Sequence, residues 1–346
     1  MPNNYRATAA LIRTAYGHRL RPADYRDLTS LHSVPEVVAF LKDTPAYSEV
    51  LSGLEPTIAH RGYVEMLLRR NLFTQCLHFC AMEQLRKAPF FRFFLYEYEI
   101  RELFRAIRLG PDGYISAMDT WLAPYLDFSQ EKLARATAPA EIIAVCAHTM
   151  YAPILRKYLT QPAVNYTEME IALRACCLSQ IMKEAESALH GSDLDALREL
   201  IGEQVDLINL INAYRLKSVF HTDRETLRSM MLPIPGKLPK RLLEQLYDAP
   251  DLAAFNDVLS GTRYGRLMED LPDAPDSMRV ELAFQTLRGR TARAKLHFSG
   301  HAAVSMYAYH ILNRIEIENL ITIIEGIRYQ KPVSDIQSLL VITEPS

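Results

Sequence analysis

The stretch Glu99-Ile100-Arg101-Glu102-Leu103-Phe104-Arg105-Ala106-Ile107-Arg108 opens on a polar residue, continues with an aliphatic one and carries two apolar residues in its middle. A small residue stands two places before its closing arginine. The same design returns as Asp206-Leu207-Ile208-Asn209-Leu210-Ile211-Asn212-Ala213-Tyr214-Arg215, and again as Asn319-Leu320-Ile321-Thr322-Ile323-Ile324-Glu325-Gly326-Ile327-Arg328. The closing arginines lie 107 and 113 residues apart. A second, unrelated pattern recurs upstream at nearly the same period. Pro35-Glu36-Val37-Val38-Ala39-Phe40-Leu41 leads to Thr44 and Tyr47, and Pro139-Ala140-Glu141-Ile142-Ile143-Ala144-Val145 leads to Thr149 and Tyr151. Pro250-Asp251-Leu252-Ala253-Ala254-Phe255 leads to Thr262 and Tyr264, so the tyrosines are 104 and 113 residues apart. Two patterns sharing one period identify three diverged copies of one unit. That unit is far longer than the roughly 33–47 residues of the helical repeats in solenoid proteins.

Apolar residues follow three- and four-residue steps almost everywhere, as in Val64, Leu67, Leu68, Leu72, Leu77, Phe79, Met82 and Leu85, which is the period of a helix with one apolar face. Segments 167–189, 194–216 and 302–329 read the same way, and alternating stretches bounded by Asn-Gly or Asp-Gly turns are missing. The fold class is therefore all-α, built from three tandem helical-bundle units. We expect these over 1–110, 111–220 and, with a C-terminal tail, 221–346, with Pro111, the segment 218–223 and Pro332 marking their ends. Within each unit the proline starts a short helix, because its φ is pre-set and the N–H it lacks has no partner there. Ser33 with Glu36 adds a capping box. A Thr–Tyr turn follows, then a hairpin of two longer helices whose second member ends in the closing arginine. Ala106, Ala213 and Gly326 suggest close helix crossings, where a larger side chain would hold backbones apart.

Composition narrows the function. Thirteen glycines in 346 residues stand singly, against a glycine-rich phosphate loop. A net charge of −2 creates no field drawing the chain to nucleic acid or an anionic membrane. Cys76, Cys80, Cys146, Cys176 and Cys177 sit in apolar helical stretches and read as reduced, buried thiols. No run approaches the ~18–20 apolar residues of a membrane-spanning helix, and the N-terminus lacks a signal-peptide block. We therefore expect a cytoplasmic protein whose connection to any membrane runs through a partner.

The order and spacing of these motifs resemble a known family. Tyr25-Arg26-Asp27-Leu28, Pro35-Glu36 and Thr44-Pro45-Ala46-Tyr47 look like the start of the V-type ATPase C-subunit family of bacteria and archaea, whose eukaryotic counterpart is the d subunit. Asp206-Leu207-Ile208-Asn209-Leu210 with Arg215 and Lys217 is similar to the family's middle signature. Glu316-Ile317-Glu318-Asn319-Leu320 and Ile323-Ile324-Glu325-Gly326-Ile327-Arg328-Tyr329 are similar to its C-terminal one. The resemblance spans essentially the whole chain. It implies a pseudo-threefold funnel whose opening receives the central shaft of a rotary ATPase while the other face sits on the membrane proteolipid ring, with the membrane stator subunit as a further neighbour. It implies no nucleotide site, no catalytic residue and no cofactor.

Candidate interaction residues follow, each with a plainer reading. Arg108, Arg215 and Arg328 could line the shaft socket, where guanidinium forks meet carboxylates; arginine near a helix C-terminus also complements the dipole and caps carbonyls. Arg288, Arg290, Arg293 and Lys295, with His297, form a basic run that could contact an acidic partner or simply be a solvated face. Cys76-x-His78-x-Cys80 does not present a metal site, since residues two apart on a helix point about 200° apart and a tetrahedral site needs four convergent ligands. His148, His301 and His310 pair with no nucleophile in a recognisable order. Phe90, Phe91, Phe93, Phe94, Tyr96 and Tyr98 are denser than one face needs; most of them should be core, with one or two rings left exposed until a partner covers them. The expected function is a non-catalytic rotor adaptor; a helical scaffold unrelated to rotary ATPases is the alternative.

Overall fold

A computed structural model describes residues 5–343 except 56, 58, 59, 83, 84, 86, 87, 221, 270 and 272–275. Position 221, inside the expected second boundary, thus lies outside the described residues. Among the described residues every regular element is helical. After α1 (Arg6–Gly17), α2 (Pro22–Thr29), α3 (Val34–Lys42) and α4 (Ser48–Leu51) come two long helices, α5 (Arg61–Ala81) and α6 (Phe93–Ala117). The order then returns as α7 (Gln130–Arg135), α8 (Pro139–Val145) and α9 (Ala152–Leu159), followed by α10 (Tyr166–Ala188) and α11 (Gly191–Phe220). It returns once more as α12 (Arg224–Ser229), α13 (Lys240–Asp248), α14 (Leu252–Ser260) and α15 (Arg266–Glu269), then α16 (Ser277–Phe298) and α17 (Ala302–Arg328). A last short helix, α18 (Val333–Ser338), closes the chain.

Local chemistry explains the starts and stops. Ser33 caps α3 by accepting from the Glu36 N–H at 3.3 Å. The Glu36 carboxylate reaches back to accept from the Ser33 hydroxyl at 3.0 Å and the His32 N–H at 2.9 Å rather than from the Ser33 N–H, so the reciprocal half of the expected capping box falls one residue earlier. Pro139 begins α8. Pro250 differs: it stands before Asp251, and the Asp251 carboxylate caps α14 by accepting from Ala254 N at 2.8 Å. An aspartate N-cap is a favoured start signal, so α14 begins by a different device from α3 and α8. The threonine that follows each short helix donates to the carbonyl three residues earlier: Thr44 to Leu41 at 2.7 Å, Thr149 to Cys146 at 2.8 Å and Thr262 to Leu259 at 2.7 Å. Each first long helix is in turn capped by a side chain, from His60, Asn165 and Asp276.

The tyrosines two or three residues beyond these threonines reach buried carboxylates on long helices elsewhere in the chain. Tyr151 donates to Glu99 at 2.6 Å, Tyr264 to Asp206 at 2.8 Å and Tyr47 to Glu316 at 2.6 Å. Glu99, Asp206 and Glu316 are fully buried, so each must be satisfied by protein donors. Backbone N–H groups add further donors, Asp127 to Glu99, Lys237 and Leu238 to Asp206 and Leu20 to Glu316, although all of these bonds to Asp206 converge on Oδ2 and its Oδ1 is buried without a partner. Glu316 alone also takes a guanidinium, Arg19 Nε at 3.0 Å. One helical turn further on, Asn209 exchanges hydrogen bonds with the backbone of Leu232 and Asn319 with that of Val341. In the same place Glu102 accepts from Gln130 and Tyr114. Matching the strings by their closing arginines sets Asn319 opposite Glu99 and Asp206. By hydrogen-bonding role their counterpart is Glu316, one turn earlier, because the seam is fixed by the carboxylate and not by the helix end.

Long-helix packing follows the same order. The first long helix of one set lies on the second long helix of the set before: α10 on α6, α16 on α11, and α5 on α17. Helix α17 meets α1, α2, α3, α5, α11, α16 and α18; most of its residues are buried, and one narrow polar stripe through Arg314, Glu318 and Arg328 stays accessible. Burial of each large aliphatic side chain there contributes about 1.5–3 kcal/mol. One apolar core takes in residues from Ile12 to Val205 together with α16, α17 and the tail; a smaller one is built from Leu207–Phe284. Gly326 does make a close approach, but to a side chain rather than a crossing helix: a Cβ there would come within 2.5 Å of Ile336 Cγ1 in α18. All six rings from Phe90 to Tyr98 are buried, contrary to the expectation that one or two stay exposed. At the start of α6, Phe94 packs edge-on against Phe73 and Phe93, and Phe93 packs tilted against Tyr307, so the density serves the core.

Candidate functional site

Helical geometry turns the seams inside out. Residues two apart on a helix point to nearly opposite sides. The helices that aim Glu99, Asp206 and Glu316 at their tyrosines therefore aim Glu97, Gln204 and Arg314 the other way. All three line one depression of about 340 Å³, walled by α6, α10, α11, α16 and α17. Its floor is polar and cross-linked. Arg314 pairs with Glu97 and, at 3.2 Å, with Glu318, and Tyr307 donates to Gln204 at 2.8 Å.

Electrostatics in the depression are those of a shielded, arginine-rich surface. Desolvation in the depression works against charge on Glu97, yet the Arg314 guanidinium in contact with it outweighs that and holds the carboxyl at about 2. Burial pushes the His310 imidazole down to about 3, aided by Arg314 and Arg288 and opposed by Glu97. His310 is therefore neutral at physiological pH. Five guanidiniums, of Arg101, Arg108, Arg174, Arg288 and Arg314, face the depression, against the carboxylates of Glu97 and Glu170. A second hollow of about 500 Å³ adjoins it, sharing Glu170, Arg174 and Ile208 and reaching Arg215.

The predicted residues fall in different places. Arg108 lines the depression, stacked over Phe104 and Tyr166 at 5.1 and 5.6 Å. Arg215 lines the adjoining hollow and pairs with Glu281. Arg328 sits apart, at the end of α17, paired with Glu325 at 3.2 Å and bordering a small hollow with Arg61. The basic run splits as a helix must split it. Arg288 faces the depression, Lys295 binds Glu199 on α11 at 2.5 Å, and His297 stands edge-on to Tyr16. Arg290 is exposed and Arg293 half-buried, and neither forms an ion pair with a described residue. Cys76 and Cys80 are buried while His78 between them is exposed. His301 caps α17 by accepting from Ala303 N at 3.1 Å. Sequence reasoning passed over Glu97, Gln204 and Arg314; the signal for them was present, two places before a carboxylate embedded in an apolar helix.

Among the described residues no helix is long and apolar enough to cross a membrane. Comparison with known proteins agrees with the order of motifs. The profile of the family described as ATP synthase (C/AC39) subunit matches residues 8–339. The chain is 23% identical over 284 residues to the C subunit of the A-type ATP synthase of Pyrococcus horikoshii, covering 81% of this chain and 74% of that protein. It is 22% identical over 319 residues to the C subunit of the A-type ATP synthase of Pyrococcus abyssi, covering 90% and 83% respectively.

Proposed function

This chain belongs to the ATP synthase (C/AC39) subunit family and is a non-catalytic part of its complex, and from that premise we propose that it is the rotor adaptor of a V-type ATPase. It seats the central shaft on the membrane proteolipid ring and carries torque between ATP turnover and H+ or Na+ transport. It works at the cytoplasmic face of the membrane, held there through the ring, with the membrane stator subunit as a neighbour. The three units over 1–110, 111–220 and 221–346 form a pseudo-threefold funnel around the depression.

The observation that carries this reading is the central depression walled by five long helices. Three carboxylate–tyrosine seams run behind it in cyclic order, the third joining Tyr47 to Glu316 across the length of the chain. A torque-bearing part needs walls that do not slip, and buried, hydrogen-bonded polar contacts between packed helices resist sliding. Broad packed interfaces, with no chemically specialised site, suffice for gripping a rotor.

Native mass spectrometry of the chain, affinity-purified from its own membranes in mild detergent, tests the proposal. The expected particle holds one copy of this chain with a proteolipid ring and shaft subunits. A free monomer, or a complex without any ring, would overturn the adaptor role and leave the helical-scaffold reading.

A further inference from the structure

We propose that the depression receives a carboxylate-bearing helix end of its partner, with Arg288 and Arg108 as the two guanidiniums that take its acidic side chains. This deepens the adaptor reading and rests on it only for the partner's identity, the central shaft.

Charge in the depression is unevenly matched. Arg314 is engaged by Glu97 and Glu318, Arg174 by Glu170 at 2.8 Å, and Arg101 by Asp119 at 3.3 Å. Arg288 and Arg108 form no ion pair with a described residue, though both face the same depression. Arg288 is half-buried; its Nε, like those of Arg101 and Arg314, is buried without a hydrogen-bond partner, but of the three it alone also lacks an ion pair with a described residue. Proteins seldom leave a buried guanidinium donor unmet. Burial, with repulsion from Arg314, lowers its pKa against weaker support from Tyr307, Glu318 and Glu97. The site as it stands disfavours the charge it carries, and an incoming carboxylate would reverse that. Arg108 lies over the rings of Phe104 and Tyr166, which restrains its guanidinium, a group whose fork suits a bidentate carboxylate.

The walls say what else the occupant presents. Ile100, Phe104, Ile208 and Ile311 line the depression between the arginines. A bare anion would leave that surface wet, whereas a helix end with aliphatic side chains beside its carboxylates would cover it. An acidic, amphipathic protein segment therefore fits better than a free phosphate.

The test uses the full chain and the purified shaft subunits of its own complex, with binding measured from about 50 to 500 mM salt, a range over which charge-steered association falls steeply. Arg288→Met and Arg108→Met are compared with Arg135→Met, an exposed arginine paired with Glu131 on α7. Arg288→Met is expected to weaken shaft binding at least ~30-fold at low salt, about 2 kcal/mol at 1.4 kcal/mol per tenfold, and to flatten the salt dependence. Its melting temperature should hold or rise, because an unmet buried charge has been removed. Arg135→Met should bind as wild type. Binding of Arg288→Met at wild-type strength would overturn the proposal, as would a binding loss accompanied by a matching loss of melting temperature. Displacement of the shaft by millimolar inorganic phosphate, in an Arg288-dependent way, would make this a free-anion site and also overturn it. If the wild-type chain fails to bind the shaft at all, the adaptor reading itself falls; wild-type binding that is insensitive to Arg288 sinks this inference alone.

Discussion

Tyr151, Tyr264 and Tyr47 each donate to a carboxylate that water does not reach. A hydrogen bond to a charged group contributes about 1.5–3 kcal/mol, so Tyr151→Phe and Tyr264→Phe should each destabilise the chain by that amount in urea unfolding at neutral pH. Tyr47→Phe should cost the least, because Glu316 keeps Arg19 and the Leu20 N–H. Losses below about 0.5 kcal/mol in all three, the floor for a net hydrogen bond, would show that these contacts do not hold the helices together. Glu199 makes a prediction in pH. Hydrogen bonds from Lys237 and Lys295 hold its carboxyl at about 2, below the ordinary 4.5. A depressed carboxyl stabilises the fold above its unfolded pKa, and that stability is lost as pH falls through the folded value. The melting-temperature advantage of wild type over Glu199→Gln should be full above about pH 4.5 and vanish near pH 2; an advantage flat across that window would exclude the ion pairs. Glu99 and Asp206 run the other way, since burial raises both and protonation relieves them. At this scale the tyrosines were legible as a recurring motif, but their partners were not. Sequence spacing carries no information about which distant helix a hydroxyl meets.

Helix α17 shows how an element's pattern predicts its place. Its string of apolar residues leaves only a narrow polar stripe for solvent, and it meets elements from both ends of the chain. Ending the chain after Gly300 should therefore abolish the fold and assembly into the membrane complex, read by far-UV circular dichroism and by coupled ATPase activity. A truncated chain that retained coupled activity would refute the central place of α17. Gly326 tests the packing more finely. Leucine there must displace Ile336, whose side chain fills the space a Cβ would take, and overpacking of this kind costs about 1–3 kcal/mol. Gly326→Leu is expected to lower the melting temperature and to speed amide exchange in α18. An unchanged melting temperature with unchanged α18 protection would show that the contact is slack. The small residue was visible in the sequence; its partner, a side chain further along in α18, required the chain reversal after α17.

The molecule as a whole has two apolar cores of unequal size, the smaller confined to Leu207–Phe284. Cooperative units open with free energies that follow their buried contacts. Native-state amide exchange should therefore show α12–α14 opening at lower free energy than α17, and equal protection across the chain would contradict a separate second core. The helical class, the recurring order of short and long helices and membership of the family could all be read from the residues alone. Those follow from apolar periodicity, caps and motif order, which are local or additive along the chain. That Glu316 and not Asn319 takes the Tyr47 hydroxyl emerged only once the helices were packed together. Packing likewise separated Arg108 from Arg328, and turned Arg288 of the basic run toward the depression while Lys295 meets Glu199. Each of those outcomes depends on the rotation of a helix about its axis against a neighbour far away in sequence. A shift of one residue turns a side chain by about 100°, and contact across the assembled helices is what sets that angle.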